Sequence, residues 1–394
     1  MESTVTQSRN GGSRITPLRL GELFCGPGGL ALGALGAEAS TDRHNLRFVH
    51  QWATDYDPDA CATYRRNICP SEPLTVICED VRRLNLGALP LIDAFAFGFP
   101  CNDFSVVGEK RGIRGEFGPL YSYGVRVLEE FRPRVFVAEN VGGIRSANEG
   151  RTFHRILSDL RKAGGGYRLT AHLYKFEDYG VPQSRHRVII VGVDESLGVS
   201  FRVPEPTCLG NPVSVRAALT DPPIPKTAPN NERTTQNALV VERLKLIQPG
   251  MNIWQTDLPP HLRLDVKGAK MSMIYRRLDP DRPSYTVTGS GGGGTHLYHW
   301  KEPRALTNRE RARIQTFPDS FVFEGQKESV RRQIGMAVPP RAATVIFEAI
   351  LKMLAGVSYP SVPASLEGDV SLASSKAAQQ VTLKDFETEV APAQ

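Results

Sequence analysis

One cysteine follows the apolar run Leu91-Ile92-Asp93-Ala94-Phe95-Ala96-Phe97, on the short segment Gly98-Phe99-Pro100-Cys101-Asn102-Asp103-Phe104-Ser105. A thiol at the end of a buried strand is well placed for nucleophilic work. Pro100 fixes its own φ and biases Phe99 towards extended backbone, so the loop carrying Cys101 is stiff. Taken alone, a Pro-Cys pair is better explained as a packed turn, because free cysteine is among the most buried residue types. Three other segments change that balance.

The first is Leu20-Gly21-Glu22-Leu23-Phe24-Cys25-Gly26-Pro27-Gly28-Gly29-Leu30, which reads as a strand, a glycine-rich turn and an apolar helix from Leu30 to Leu35. Glycines let a ligand approach the backbone, and a helix start leaves N–H groups free. The order is neither the G-x-G-x-x-G of a dinucleotide fingerprint nor the G-K-[ST] end of a phosphate loop, so a nucleoside-type cofactor is expected rather than a phosphate. The next strand, Phe48 to Thr54, ends in Asp55-Tyr56-Asp57, and a third, Thr75 to Cys78, ends in Glu79-Asp80. An acid closing the second strand is where a doubly wound fold binds ribose hydroxyls, and Tyr56 is suited to stack on an adenine. Solvated turn acids are the plain alternative.

The second segment, Arg134-Val135-Phe136-Val137-Ala138-Glu139-Asn140-Val141, runs a buried-strand pattern straight into a carboxylate and an amide. Such groups are exposed at the switch edge of the sheet or buried and paired, and both placements suit an active-site acid. In the third, Tyr179-Gly180-Val181-Pro182-Gln183-Ser184-Arg185-His186-Arg187 precedes a strand from Val188 to Val193, and alternation sets Gln183, Arg185 and Arg187 on one face. That row is an anion clamp or the solvated face of an edge strand.

These motifs continue with Arg309-Glu310-Arg311-Ala312-Arg313-Ile314-Gln315-Thr316-Phe317-Pro318 and Gln333-Ile334-Gly335-Met336-Ala337-Val338-Pro339. In this order they resemble the C5-cytosine DNA methyltransferase family over most of the chain. Two positions depart from the family pattern: Asn102 stands where Gln is usual, and Met336 replaces an Asn expected near the cofactor. The resemblance implies an α/β fold with a doubly wound, mostly parallel sheet and a smaller, irregular target-recognition domain. It implies S-adenosyl-L-methionine as methyl donor, cradled by Phe24, Gly26, Gly28, Gly29, Leu30, Asp55, Tyr56, Asp80, Val81 and Pro100. Duplex DNA is the implied partner, contacted by Ser105, Gln183, Arg276 and Arg277.

Carbon 5 of cytosine is a poor nucleophile, so its methylation calls for covalent addition at carbon 6. Cys101 suits that attack as a thiolate. Glu139 in its protonated form would stabilise the adduct at the ring nitrogen beside the amino group. Arg185 and Arg187 look like holders of the base carbonyl and of a flanking phosphate, with the assignment between them open. None of these groups reaches a stacked base, so the cytosine must leave the duplex.

The 394 residues, 40% hydrophobic and 23% charged, suffice for one large domain and a smaller one. No apolar run approaches membrane length, and a net charge of +6 suits a polyanionic partner. The six cysteines form no C-x-x-C pair and no zinc spacing, and the N-terminus shows no charged and apolar leader. A reduced, cytoplasmic protein without a metal site is expected.

Alternation of strands and helices holds from about Leu18 to Val193 and fails between Ser200 and Trp300, where prolines and the run Gly291 to Gly294 break regular elements. The expected divisions are a mobile tail at 1–16, a catalytic and cofactor-binding domain at 17–199, a target-recognition domain at 200–303, C-terminal helices returning to the catalytic domain at 304–357, and a mobile tail at 358–394. In the recognition stretch Arg243, Lys245, Lys267, Lys270, Arg276 and Arg277 are candidate phosphate contacts. His296, His299 and Trp300 are candidate contacts to the strand left behind by the extruded base. Thr307, with Glu310 three residues on, forms a capping-box pattern.

The architecture suggests a bacterial modification enzyme acting as a monomer and paired with a restriction endonuclease. A transfer-RNA methyltransferase of the same fold would share the Pro-Cys and Glu-Asn-Val motifs. A catalytically inactive DNA-binding regulator is opposed by the complete set of nucleophile, acid and arginines, and a nicotinamide oxidoreductase fails on the glycine spacing.

Overall fold

The computed structural model describes residues 14–41, 44–99, 120–265, 271–291 and 294–367. Its centre is an eight-stranded sheet. Strands β1 (Arg14–Leu23), β3 (His44–Asp55), β4 (Val76–Cys78), β5 (Ala94–Gly98) and β6 (Val135–Val141) are parallel to one another. The short β2 (Glu38–Ser40) runs antiparallel to β3, and β9 (His186–Asp194) runs antiparallel to both β6 and β7 (Tyr167–Lys175). The order is β2-β3-β1-β5-β6-β9-β7, with β4 also beside β3.

Strand β5 shows why helices cover both faces. Phe95 and Phe97 point to one side, Ala94 and Ala96 to the other, and all four are buried. The phenylalanines share a core with α3 (Tyr121–Phe131) and α4 (Arg151–Lys162). The alanines share one with α1 (Gly29–Leu35) and α9 (Pro340–Leu354). Burial on both faces is what a mostly parallel sheet requires, and the expected doubly wound α/β architecture is the one found.

Beyond residue 200 a third core joins Val215 and Leu219 of α5 (Val215–Thr220) and Leu278, Leu297 and Trp300 to Ala312 and Ile314 of α7 (Asn308–Ile314) and Ile334 of α8 (Lys327–Met336). A smaller core gathers Leu244 of α6 (Ala238–Leu246) with Ile247, Tyr275 and Tyr298. Helices α7 and α8 therefore share apolar packing with residues 215–300, while α9 lies on the sheet. A β-carbon on Gly335 would sit 2.0 Å from the Gly289 nitrogen, so α8 meets the segment around Gly289 with backbone against backbone. Helix α7 starts with the expected capping box: the Glu310 N–H donates to Thr307 Oγ1 at 3.1 Å and the Thr307 N–H to Glu310 Oε2 at 2.8 Å.

The expected tails are corrected at residues 14–16 and 358–367, while 1–13 and 368–394 lie outside the described residues. Strand β1 already begins at Arg14. Residues 358–367 are packed: β12 (Ser361–Val362) pairs antiparallel with β10 (Val203–Pro204), and Leu366 is buried in the core beneath α3 and α4. Polar composition concealed one apolar anchor. The stretch Lys327–Leu354 is long and apolar enough to cross a membrane, which the primary sequence did not suggest, but 72% of its most apolar window is buried inside the protein.

Candidate active site

The carboxyl ends of β5 and β6 meet the start of β9. Gly98 lies opposite Glu139, and Val141 opposite Arg187. Arg187 Nε is 2.9 Å from Glu139 Oε1, and each side chain is 13% exposed, so the pair is accessible but largely desolvated. A β-carbon on Gly98 would lie 3.2 Å from Glu139 Oε2, which brings the end of β5 against the acid. Asn140 is buried; its side-chain amide donates to the Phe99 carbonyl at 3.1 Å and its Oδ1 accepts the Val141 N–H at 2.8 Å. Pro100, Cys101, Asn102 and Ser105 lie outside the described residues.

The row Gln183, Arg185, Arg187 is neither a clamp of three nor a solvated face. Gln183 is wholly buried: Nε2 donates to Gln315 Oε1 at 2.8 Å and Oε1 accepts the Val287 N–H at 2.7 Å. Arg185, 2% exposed, donates to the carbonyls of Val287 (3.1 Å), Gly335 (3.0 Å) and Ala337 (3.1 Å), and its Nε has no partner among the described residues. Burial, then the charge of Arg187, lowers its pKa, against the opposing pull of Glu139. The DNA contact expected of Gln183 is thus corrected to an internal bond, and only Arg187 of the three stands beside Glu139. Alternation identifies the face but not what covers it.

The glycine turn has the backbone its sequence demands. Phe24, Gly26 and Gly28 all have positive φ, at 55°, 54° and 94°, and a β-carbon on Gly29 would collide with the Val338 carbonyl at 2.2 Å. Asp55 fastens the turn, accepting the Gly26 N–H at 2.8 Å and the Asp57 N–H at 2.9 Å. Burial pushes the Asp55 carboxyl up while these bonds hold it down. Tyr56 is 68% exposed at the end of β3. Asp80 pairs with Arg82 at 2.6 Å, whose hydrogen bond holds the acid below its ordinary range, and Leu30 and Val81 are buried. Among the described residues, a β-carbon on Gly26 would meet nothing within 4 Å, so the turn is open on that side. Acids at two strand ends, an exposed aromatic ring and an open turn fit S-adenosyl-L-methionine.

Between residues 200 and 303, Arg277 is corrected too. It is buried, with Nε donating to the His299 carbonyl at 3.0 Å and Nη1 to those of Leu244 and Ile247 at 2.9 and 2.8 Å, and Nη2 to that of Trp300. His299 is buried against Trp300 and accepts the N–H groups of Lys301 and Glu302, so neither ring is free for a DNA strand. Arg243 is half-buried and donates to the Leu262 carbonyl at 2.8 Å. Arg276 is half-buried, its guanidinium 4.9 Å from the centre of the Tyr285 ring, and Lys245 is exposed. Lys267 and Lys270 lie outside the described residues.

Two contributors were missed in the sequence. Asn140 was quoted only as a motif letter, and Glu22 passed as one residue of a strand, although a carboxylate inside the apolar run Leu20 to Leu23 is itself a signal of burial with a partner.

Over residues 18–352 the chain matches the family model described as C-5 cytosine-specific DNA methylase. It is 59% identical over 351 residues to the Type II methyltransferase M.BbvI of Brevibacillus brevis, covering 87% of this chain and 93% of that protein. It is 40% identical over 338 residues to the Type II methyltransferase M.NgoFVII of Neisseria gonorrhoeae, covering 84% and 85%. Among solved structures, a candidate DNA modification methyltransferase encoded within an E. coli prophage superposes with a TM-score of 0.66 at 25% identity, over 86% of this chain and 99% of the other. The chain therefore belongs to the C-5 cytosine-specific DNA methylase family, enzymes that move a methyl group from S-adenosyl-L-methionine to carbon 5 of cytosine in DNA.

Proposed function

We propose that this chain is the modification partner of a restriction endonuclease, methylating one cytosine of a specific duplex site as a cytoplasmic monomer. The observation that carries the chemical assignment is the Glu139–Arg187 pair beside the strand that leads to Cys101. Bound at the glycine turn, S-adenosyl-L-methionine supplies the methyl group in electrophilic form. Cys101 adds through sulfur to carbon 6 of the extruded base and makes carbon 5 enamine-like; later loss of the carbon 5 proton expels the thiolate. Glu139 shares a proton with the ring nitrogen and accepts from the amino group, while Arg187 orients Glu139 and holds the base carbonyl. Arg185 is a positioning residue that ties the sheet to Val287, Gly335 and Ala337.

Residues 200–303 read the sequence, supported by the core they build around Leu244, Ile247, Tyr275 and Tyr298 and by exposed cations such as Lys245. Restriction pairing is supported by the Type II names of M.BbvI and M.NgoFVII. The family match, described by DNA, favours this reading over a transfer-RNA substrate. Bisulfite sequencing of host DNA after expression tests it: conversion-resistant cytosines confined to one short motif, absent with C101A, are expected, and unmodified DNA with active, folded protein would overturn it.

A further inference from the structure

Behind the glycine turn lies a chain of polar groups that methyl transfer does not use. Glu22 of β1 is 1% exposed, two residues before Phe24. Its Oε2 is 3.2 Å from the hydroxyl of Tyr64 on α2 (Pro58–Asn67), and that hydroxyl is 3.3 Å from His50 Nδ1 on β3. His50 Nε2 is 2.8 Å from Thr75 Oγ1, and the Thr75 hydroxyl donates to the Glu72 carbonyl at 2.6 Å.

The hydrogens on this chain can be counted. Thr75 spends its only hydroxyl hydrogen on Glu72, so it accepts from His50 Nε2–H. A neutral His50 then has a bare Nδ1, which must accept from Tyr64. In that count Tyr64 has no second hydrogen, so the 3.2 Å contact, which an ionised Glu22 would accept from the tyrosine, is instead donated by Glu22 as a carboxylic acid. The alternative sets a Glu22 anion and a His50 imidazolium together inside the protein, where both lose hydration. Burial, the largest influence on both groups, acts in the same sense: with the charge of Asp55 it pushes Glu22 up to about 8 against the lowering pull of the Tyr64 hydroxyl, and it pushes His50 down to about 4. The titratable neighbours are Asp55 of β3, Cys25 of the turn, and Tyr64, Cys61 and Cys69 of α2 and its end, none of them a cation. An ionised Glu22 would face Asp55, whose carboxylate holds the Gly26 N–H.

We propose that Glu22 is a positioning residue for the cofactor turn: as a neutral acid it anchors β1 through Tyr64, His50 and Thr75, and on losing its proton it unseats the Asp55–Gly26 contact and weakens binding of S-adenosyl-L-methionine. This rests on the reading of the turn as the cofactor cradle.

The test is calorimetric binding of S-adenosyl-L-methionine to the full chain without DNA. Kd should rise about tenfold between about pH 7 and pH 9, as expected for an acid titrating near 8 whose neutral form binds. E22Q, whose amide still donates to the Tyr64 oxygen at every pH, should lose that alkaline limb. A Kd that falls over the interval, as attraction between an anion and the cationic cofactor predicts, overturns the proposal, as does a limb that persists in E22Q. Absence of binding at every pH overturns the cofactor reading and the proposal with it, whereas pH-independent binding overturns the proposal alone. Should E22Q not fold, infrared spectroscopy decides: a protonated-carboxyl C=O band present at neutral pH and shifted in Y64F is expected, and its absence overturns the assignment.

Discussion

Asn140 of β6 donates its side-chain amide to the carbonyl of Phe99, 3.1 Å away, and so fixes the backbone at the last described residue before Pro100 and Cys101. The next side chain back, Glu139, pairs with Arg187. One strand end thus steadies both the acid and the approach to the nucleophile.

Replacing Asn140 with Ala leaves the buried Phe99 carbonyl without its partner, at about 1–3 kcal/mol. We expect a lower melting temperature and a fall in kcat with KM for S-adenosyl-L-methionine nearly constant. A fall in cofactor affinity alone would assign Asn140 to the other site.

Cys101→Ala should abolish transfer and leave most DNA affinity, because affinity comes largely from phosphate contacts. Wild-type protein should be trapped covalently on DNA carrying 5-fluorocytosine, whose fluorine cannot leave as a proton does. Denaturing gels after incubation with cofactor read the adduct, and C101A should show none.

Glu139→Gln keeps the shape and loses the shared proton. Single-turnover transfer should slow by about two to four orders of magnitude. An unchanged rate would place ring protonation elsewhere.

The two neighbouring arginines should separate cleanly. Arg187→Ala is expected to fold and to lose about two to three orders of magnitude in kcat, as for a lost transition-state donor. Arg185→Met strands the buried carbonyls of Val287 and Gly335, each at about 1–3 kcal/mol, and leaves that of Ala337 only Gln315 Nε2 at 3.4 Å, so denaturant unfolding should reveal it first. Equal stability of the two variants would contradict the division of labour.

Arg277→Ala should likewise lower stability while leaving the salt dependence of DNA binding unchanged, since its donors are spent on backbone carbonyls. Lys245→Ala should do the reverse and reduce the slope of affinity against salt by about one. Salt titrations of DNA binding by both variants provide the check.

Much of this was legible in the chain. The doubly wound sheet was implied by the family resemblance and agreed with the alternation of strands and helices from about Leu18 to Val193, and the Thr307–Glu310 cap followed from spacing alone. Positive φ at Gly26 and Gly28 followed from residue type. Gln183 and Arg185 were misread because periodicity records which way a side chain faces within its own element, and Arg277 because a basic side chain in an irregular stretch carries no mark of the backbone carbonyls that enclose it. Whether solvent or another segment lies opposite depends on contacts more than 100 residues away, such as Val287 against Gln183. Glu22 escaped for a related reason: its partners come from α2 and, through Tyr64, from β3.

The two-residue pairing of β8 (Gln183–Ser184) with β11 (Ser284–Tyr285) extends into side chains, through Thr286 to the Ser184 carbonyl and Val287 to Gln183 and Arg185. Residues 284–287 are therefore keyed to the segment that leads into β9 although they lie deep within the stretch proposed to read DNA. A crossover that swapped residues 200–303 whole would import a strand cut for another lock. Recombination can hand this enzyme a new target only where the incoming strand still fits Gln183 and Arg185, so its repertoire of sites is bounded by a contact that touches no base.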